Sequence, residues 1–211
     1  MPHIEMNTTT LVYNLQLNLH DTAGVAFTNQ VCLALLNRAA TLVLNELPAE
    51  QVGAGLYEVN QEVTLTGGAG DLPLDILRVD NARQEDSPGR PAEVLTVSEY
   101  QHRLARPMLR GTYSHPMAGV DLAAKRIYLD AGGYSGNVEI DYVRQPIKLA
   151  IDGTDDEEDF EATATVDPDW PASLTPPILD KAIKTGLEVQ TLVGSNVPPE
   201  QMAALILRRL A

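Results

Sequence analysis

The sequence predicts an α+β fold: a helical bundle from the N- and C-terminal helices, packed with a small antiparallel β-sheet or hairpin region. Three observations predict it. Helical periodicity runs over about 22–47 and again over 175–210. Between them, residues 55–147 carry short alternating runs broken by Gly and Pro. The chain has 211 residues, 44% of them hydrophobic, which suits one domain, 1–211, with a real core.

Residues 11–19 fit two readings. Leu11, Tyr13, Leu15, Leu17 and Leu19 alternate as on a half-buried strand. Leu11, Leu15 and Leu19 also recur at i, i+4 and i+8, with Val12 beside them, as on a helix. The next stretch is helical throughout. Asp21 or Thr22 stands where a cap belongs, and Phe27, Val31, Leu35, Arg38 and Leu42 follow at helical spacing. Pro48 ends that helix, because the residue before a proline disfavours α conformation. Cys32 lies inside it and reads as a buried small hydrophobe.

Tyr57, Val59, Gln61, Val63 and Leu65 alternate as a strand, and Thr66-Gly67-Gly68-Ala69-Gly70-Asp71 makes a turn. Leu72-Pro73 opens a second extended run through Ile76 and Val79. Residues 81–92 are polar, with Pro88, Gly89 and Pro91, and read as an exposed loop. Val94 to Val97 reads as a short strand. Ser98 then caps a single helical turn through Arg103, closed by Pro107. The best hairpin signal is at 124–144: Arg126-Ile127-Tyr128-Leu129, a loop over 130–137, then Val138, Ile140 and Tyr142 in alternation. Pro146 ends the second arm.

Residues 152–177 form an acidic, proline-rich loop: seven acids lie within 152–161, and Pro168, Pro171, Pro176 and Pro177 follow. Thr175 caps a helix with Pro176 in its first turn and Ile178, Leu179, Ala182, Ile183 and Leu187 on its apolar face. Gly194-Ser195-Asn196 breaks it. Pro198-Pro199 starts a last helix with Met202, Leu205, Ile206 and Leu210 on one side.

The net charge is −14, and it is uneven. Residues 1–77 hold eight acids and one base, residues 78–148 nine acids and ten bases, and residues 149–211 twelve acids and four bases. No Lys/Arg cluster stands clear enough of acids to displace counterions from duplex phosphate, which disfavours sequence-specific DNA binding and docking on an anionic membrane. The acid excess serves solubility; beside DNA it would also keep DNA from sticking, and charge alone does not choose. A single cysteine excludes an intramolecular disulfide and fits a reducing compartment. No basic-then-apolar leader and no run approaching 18 apolar residues is present, so neither a signal peptide nor a membrane span is expected.

No chemistry-bearing motif emerges. His3, His20, His102 and His115 are scattered, without His-x-x-x-His or Cys-x-x-Cys spacing. The acidic run lacks the alternation of a calcium loop. The glycines at 67, 68 and 70 lead into Asp71-Leu72, with no phosphate-binding lysine. Gly133-Tyr134-Ser135-Gly136 is one residue short of a nucleophile elbow. No catalytic, cofactor-binding or metal-ligating residue is singled out, and no enzyme activity, cofactor or metal is expected.

The order of motifs carries more than any one of them. Leu19-His20-Asp21-Thr22, Leu35-Leu36-Asn37-Arg38-Ala39 and Leu72-Pro73-Leu74-Asp75-Ile76-Leu77-Arg78-Val79 come in turn. Arg126-Ile127-Tyr128-Leu129 and Val138-Glu139-Ile140-Asp141-Tyr142-Val143-Arg144-Gln145-Pro146 follow. This succession, with a helix pair at the end, resembles the head-to-tail adaptor (connector, tail tubular or head-completion) proteins of tailed bacteriophages over about residues 11–211. Two features depart from that pattern: the 152–177 segment is an elaboration, and the family's segment corresponding to 11–19 is helical. The resemblance implies a non-enzymatic virion protein, made in the host cytoplasm. It would form a homo-oligomeric, usually twelvefold ring between the capsid portal protein and the tail or nozzle proteins. DNA would pass through its channel without sequence-specific binding. The alternatives are another phage neck or tail-completion ring protein, and a small soluble cytoplasmic enzyme or binding domain.

Overall fold

The computed structural model describes residues 7–21, 23–85, 91–132, 136–151, 165–193 and 197–210. Their helices are α1 (Thr8–Asn18), α2 (Asn29–Glu46), α3 (Ala49–Val52), α4 (Val97–Leu104), α5 (Thr175–Val193) and α6 (Pro199–Leu210). Their strands are β1 (Tyr57–Val63), β2 (Ala69–Asp71), β3 (Ile76–Gln84), β4 (Glu93–Thr96), β5 (Met117–Asp121), β6 (Arg126–Asp130) and β7 (Val138–Arg144). The chain divides into two compact units: a helical unit, Met1–Leu47 with Pro146–Ala211, and a strand-rich unit, Pro48–Gln145, inserted into it.

In the helical unit, the ambiguous 11–19 segment is helix. Asn7 caps it, its side-chain oxygen accepting the Thr10 N–H at 2.9 Å. Leu11, Val12, Leu15 and Leu19 go inward, while Tyr13 and Leu17 stay 58% and 48% exposed. A helix needs only the i, i+4, i+8 residues inside, so the alternating partners are left in solvent. Thr8 is buried because both its polar groups are paired: its N–H donates to Asp167 Oδ1 (3.0 Å) and its hydroxyl to the Val166 carbonyl (2.7 Å).

The second helix starts later than its periodicity predicts. Asp21 does not cap it. Its carboxylate accepts the N–H groups of Val25 (3.3 Å), Ala26 (2.8 Å) and Phe27 (2.6 Å), folding that stretch into a loop. Thr28 is the cap, accepting from Val31, and Phe27 precedes the helix with no exposed surface. Thr22 lies outside the described residues. At the other end Leu47 is extended ahead of Pro48.

α2 packs against α1, α5 and α6, and α5 packs against α1 and α6. The buried stripe of α5 is Ile178, Ala182, Gly186 and Val189, and Leu187 is 45% exposed, against the expected face. Thr175 is the first residue of α5, continuing a 3-10 turn at Ala172–Leu174. Met202 and Ile206 anchor α6. Where the chain returns from the strand-rich unit, Leu149 N–H donates to Asn37 Oδ1 (2.8 Å) and Asn37 Nδ2 donates to the Leu149 carbonyl (3.3 Å). The acidic run 152–161 and the Gly194-Ser195-Asn196 break lie outside the described residues.

The strand-rich unit corrects the predicted fold class. It is not a small sheet or hairpin beside a bundle but two sheets, three-stranded β1-β7-β3 and four-stranded β2-β6-β5-β4, so the fold is mixed α+β. All pairings are antiparallel except β4 with β5, which is parallel. The predicted 124–144 hairpin does not form. Its first arm, β6, pairs with β2 and β5, and its second, β7, pairs with β1 and β3. Alternation specifies a strand with one buried face, not its neighbour. Both arms bury that face in one core: Ile127 and Leu129 from one sheet lie with Val138, Ile140 and Tyr142 from the other. Residues 131–137 carry the chain between sheets, and Gly133, Tyr134 and Ser135 among them lie outside the described residues.

Two strands have no counterpart in the prediction. β2 has only three residues, and β5, Met-Ala-Gly-Val-Asp, lacks alternation. Between β1 and β2, Gly67 and Gly68 have φ of +62° and +81° in a two-residue turn closed by Thr66 and Ala69. Positive φ at both central positions defines the turn whose twist suits a hairpin. The expected loop at 81–92 is strand through Gln84, and Ala92 N–H bonds the Ala82 carbonyl at 2.7 Å; residues 86–90 lie outside the described residues.

Candidate functional site

The four-stranded sheet has a second covered face. Leu95, Tyr100 and Met117 bury there, with Leu104 and Tyr128 packed against them, so α4 lies across β4 and β5. The Tyr100 and Tyr128 rings stack at 6.2 Å, and the Arg126 guanidinium lies 5.9 Å from the Tyr128 ring centroid. Burial, with the charge of Asp130, pushes the Tyr100 hydroxyl pKa up.

α4 is fixed at both ends. Thr96, not Ser98, caps it. Its hydroxyl accepts the Glu99 N–H at 3.3 Å, and the Glu99 carboxylate accepts the Thr96 N–H (3.1 Å) and hydroxyl (2.8 Å). Those bonds, the hydroxyl one foremost, lower the Glu99 pKa. The helix runs eight residues instead of one turn. Arg103 returns to β4 in a two-pronged pair with Glu93, at 2.5 and 2.7 Å.

On the outer side of α4, Ser98, Glu99, His102 and Arg103 line an open depression of about 400 Å³. These residue types could suggest acid–base chemistry, but the geometry assigns them otherwise. Glu99 is held by the cap and Arg103 by Glu93, so neither is available to orient His102. Among the described residues no hydrogen bond joins Ser98 to His102, and no three His, Cys, Asp or Glu side chains gather as a metal site requires.

Beyond α4 the chain builds an exposed lobe over residues 105–115. A 3-10 turn at Pro107–Leu109 is closed by the Leu109 N–H on the Arg106 carbonyl (2.8 Å), and Arg110 Nε donates to the Leu104 carbonyl (3.0 Å). Gly111 pins the lobe to the sheet. Its N–H donates to Asp130 Oδ2 at 3.0 Å, and a Cβ there would stand 1.9 Å from the Asp130 carbonyl oxygen. A tight turn follows, with Thr112 and His115 exchanging backbone hydrogen bonds at 3.0 and 3.1 Å.

On this braced frame stand exposed apolar side chains. Met108 is 98% exposed, Leu109 45% and Tyr113 47%. Arg106 and Arg110 stand beside them, exposed. From Tyr100 to Val120 the sequence holds Arg103, Arg106, Arg110, His102 and His115 and no carboxylate. The residue types that could have revealed the lobe are therefore legible: arginines in a carboxylate-free stretch of an acidic chain. Of the four histidines, His102 and His115 fall at its base and turn, His20 ends the α1 region in the other unit, and His3 lies outside the described residues.

The helical unit has surface apolar residues of its own. Tyr13 and Leu17 sit one turn apart on α1, and Leu192 of α5 is 62% exposed. No helix among the described residues is long and apolar enough to cross a membrane. Compared with known proteins, the chain matches no family model and no curated sequence.

Proposed function

We propose that this chain is a structural ring protein of a tailed-bacteriophage virion, acting as a head-to-tail adaptor between the capsid portal and the tail. The observation that carries the reading is the insertion of a complete strand-rich unit, Pro48–Gln145, into a helical unit made from both chain ends. A ring of identical subunits needs a heterologous interface, in which two different patches of one surface meet. Docking on a portal and on tail proteins needs further patches. Two units, each with its own core and its own exposed apolar side chains, supply chemically distinct surfaces on one small chain.

The motif order noted above adds to this reading, and so does the charge. A subunit at −14 makes an acidic ring. DNA sliding past such a wall releases no counterions and is not held. The function is assembly, with the channel as its product.

The test is a symmetry-resolved reconstruction of the particle neck together with native mass spectrometry of the purified chain. A ring of copies between portal and tail, twelvefold in the commonest arrangement of the resembled family, is the expected result. Location of the chain outside the virion, with turnover of a small-molecule substrate, overturns the reading.

A further inference from the structure

We propose that the Met108 thioether is a modification site, converted by hydroperoxides to the sulfoxide ahead of the other sulfurs of the described residues and without loss of the fold. The inference is independent of the assembly reading above.

Four sulfur-bearing side chains lie within the described residues: Cys32, Met108, Met117 and Met202; Met1 and Met6 lie outside them. Three of the four are shut away. Cys32 has no exposed surface, and burial holds its thiol protonated, pushed up to about 12, so no thiolate competes for the oxidant at neutral pH. Met117 is 4% exposed and packs with Leu95 and Tyr100 on the covered face of the four-stranded sheet. Met202 is 8% exposed, on the buried side of α6. Met108 is 98% exposed.

The lobe keeps that sulfur outside. The Leu109 N–H on the Arg106 carbonyl (2.8 Å) closes the turn around Met108, and Arg110 Nε on the Leu104 carbonyl (3.0 Å) and the Gly111 N–H on Asp130 Oδ2 (3.0 Å) tie down the chain that follows. The backbone on both sides is thus held, and the thioether stays in water.

The reaction needs only the sulfur lone pair and a hydroperoxide. The Met108 Sδ attacks one peroxide oxygen, the O–O bond breaks as the S–O bond forms, and the departing oxygen leaves as water after taking up the proton of the transferred one. The sulfur loses two electrons and the peroxide gains them. A dithiol-dependent sulfoxide reductase reverses the step, returning the oxygen as water and leaving a disulfide on the reductant. At Met108 the new polar oxygen displaces no packed neighbour. At Met117 it would enter the Leu95–Tyr100 cluster on which α4 sits, where an unpaired polar atom is costly. Oxidation therefore proceeds in two stages, a surface one that the fold tolerates and a core one that it does not.

The test treats the folded full-length chain with hydrogen peroxide at neutral pH and follows each methionine by peptide mapping. The Met108 peptide should gain one oxygen about tenfold faster than the Met117 and Met202 peptides, and in denaturant the three rates should converge. While Met108 is the one converted among these three, the dichroism spectrum and denaturant midpoint should match those of the untreated chain; the midpoint should fall once Met117 follows. Met108→Leu should lose the early oxygen and keep the later ones, and sulfoxide reductase with a dithiol should return the early product to the parent mass. Met117 or Met202 oxidised as fast as Met108 in the folded chain overturns the proposal. So does a rate difference that survives denaturant, which would assign the order to local sequence, or a midpoint that falls with the Met108 oxygen. None of these results bears on the adaptor reading, which the neck reconstruction decides.

Discussion

Cys32 illustrates how burial sets the chemistry of one side chain. It lies in α2 with no exposed surface, and its Sγ is 3.5 Å from the Phe27 carbonyl. Burial, reinforced by the Asp21 charge, pushes its thiol from an ordinary 9.0 to about 12. The thiol is therefore protonated and inert at neutral pH, and a disulfide-exchange reagent at pH 8 should react only when the protein is unfolded; rapid labelling of the native chain would contradict this. The folded pKa is raised, so the linked stability is complete below 9.0 and is lost as pH rises toward 12. Alkaline unfolding over that window should be blunted in Cys32→Ala. Gln84 poses the opposite case. It is 1% exposed, and neither amide atom has a partner among the described residues. A buried unpaired polar group costs about 1–3 kcal/mol. Gln84→Leu keeps the approximate volume and removes the orphan amide. It should raise the denaturant midpoint at unchanged m, by about 1 kcal/mol of stability. A lower midpoint would mean that the amide is needed where it stands.

α4 shows how an element depends on its ends. With Tyr100 as its one buried residue, it owes its position to the Thr96–Glu99 capping box and to Arg103 on Glu93. Thr96→Ala removes the cap that accepts the Glu99 N–H and should cost about 1 kcal/mol, with the loss of amide protection concentrated in the first turn. Glu99 adds a pH dependence. Its folded pKa lies below the ordinary 4.5, so its contribution is complete above that value and disappears as pH falls through the lower folded one. Hydrogen exchange along α4 should speed up below pH 4.5 in the parent chain and change less in Thr96→Ala; equal acid response in both removes the box as the cause. The elements also show what a linear pattern encodes. Pro48 marked the end of α2, because a proline acts within a few residues, whereas Leu11, Leu15 and Leu19 fitted a helix face and, with Tyr13 and Leu17, a strand equally well, so the pattern alone did not settle α1. The end of one strand and the start of another were equally plain at β6 and β7. Their partners were not, because pairing is settled by which neighbour shares the core, here Val63, Ile76 and Ala82 for β7. β5, with Gly119 at its centre, owes its existence to β4 and β6 on either side and carries no alternation of its own. The lobe lies between these extremes: its arginines and its lack of acids can be read directly, but the exposure of Met108 depends on how Gly111 seats against Asp130.

At the scale of the whole chain, the two points where it crosses between units decide what can be separated. The seven strands of the described residues all pair within Pro48–Gln145, and both sheets feed one core. The last strand of this segment is tied to the start of its first, since Arg144 N–H donates to the Leu56 carbonyl at 2.8 Å and Arg144 Nη2 to the Gly55 carbonyl at 3.0 Å. Gln145 N–H then closes on the Asp75 carbonyl at 2.6 Å. A segment with its own core, whose last strand is tied to its first, meets the conditions for folding alone. Pro48–Gln145, expressed by itself, should unfold in one cooperative denaturant transition with a strand-rich dichroism spectrum. The helical unit has no such freedom, because α2 and α5 come from opposite sides of the insertion.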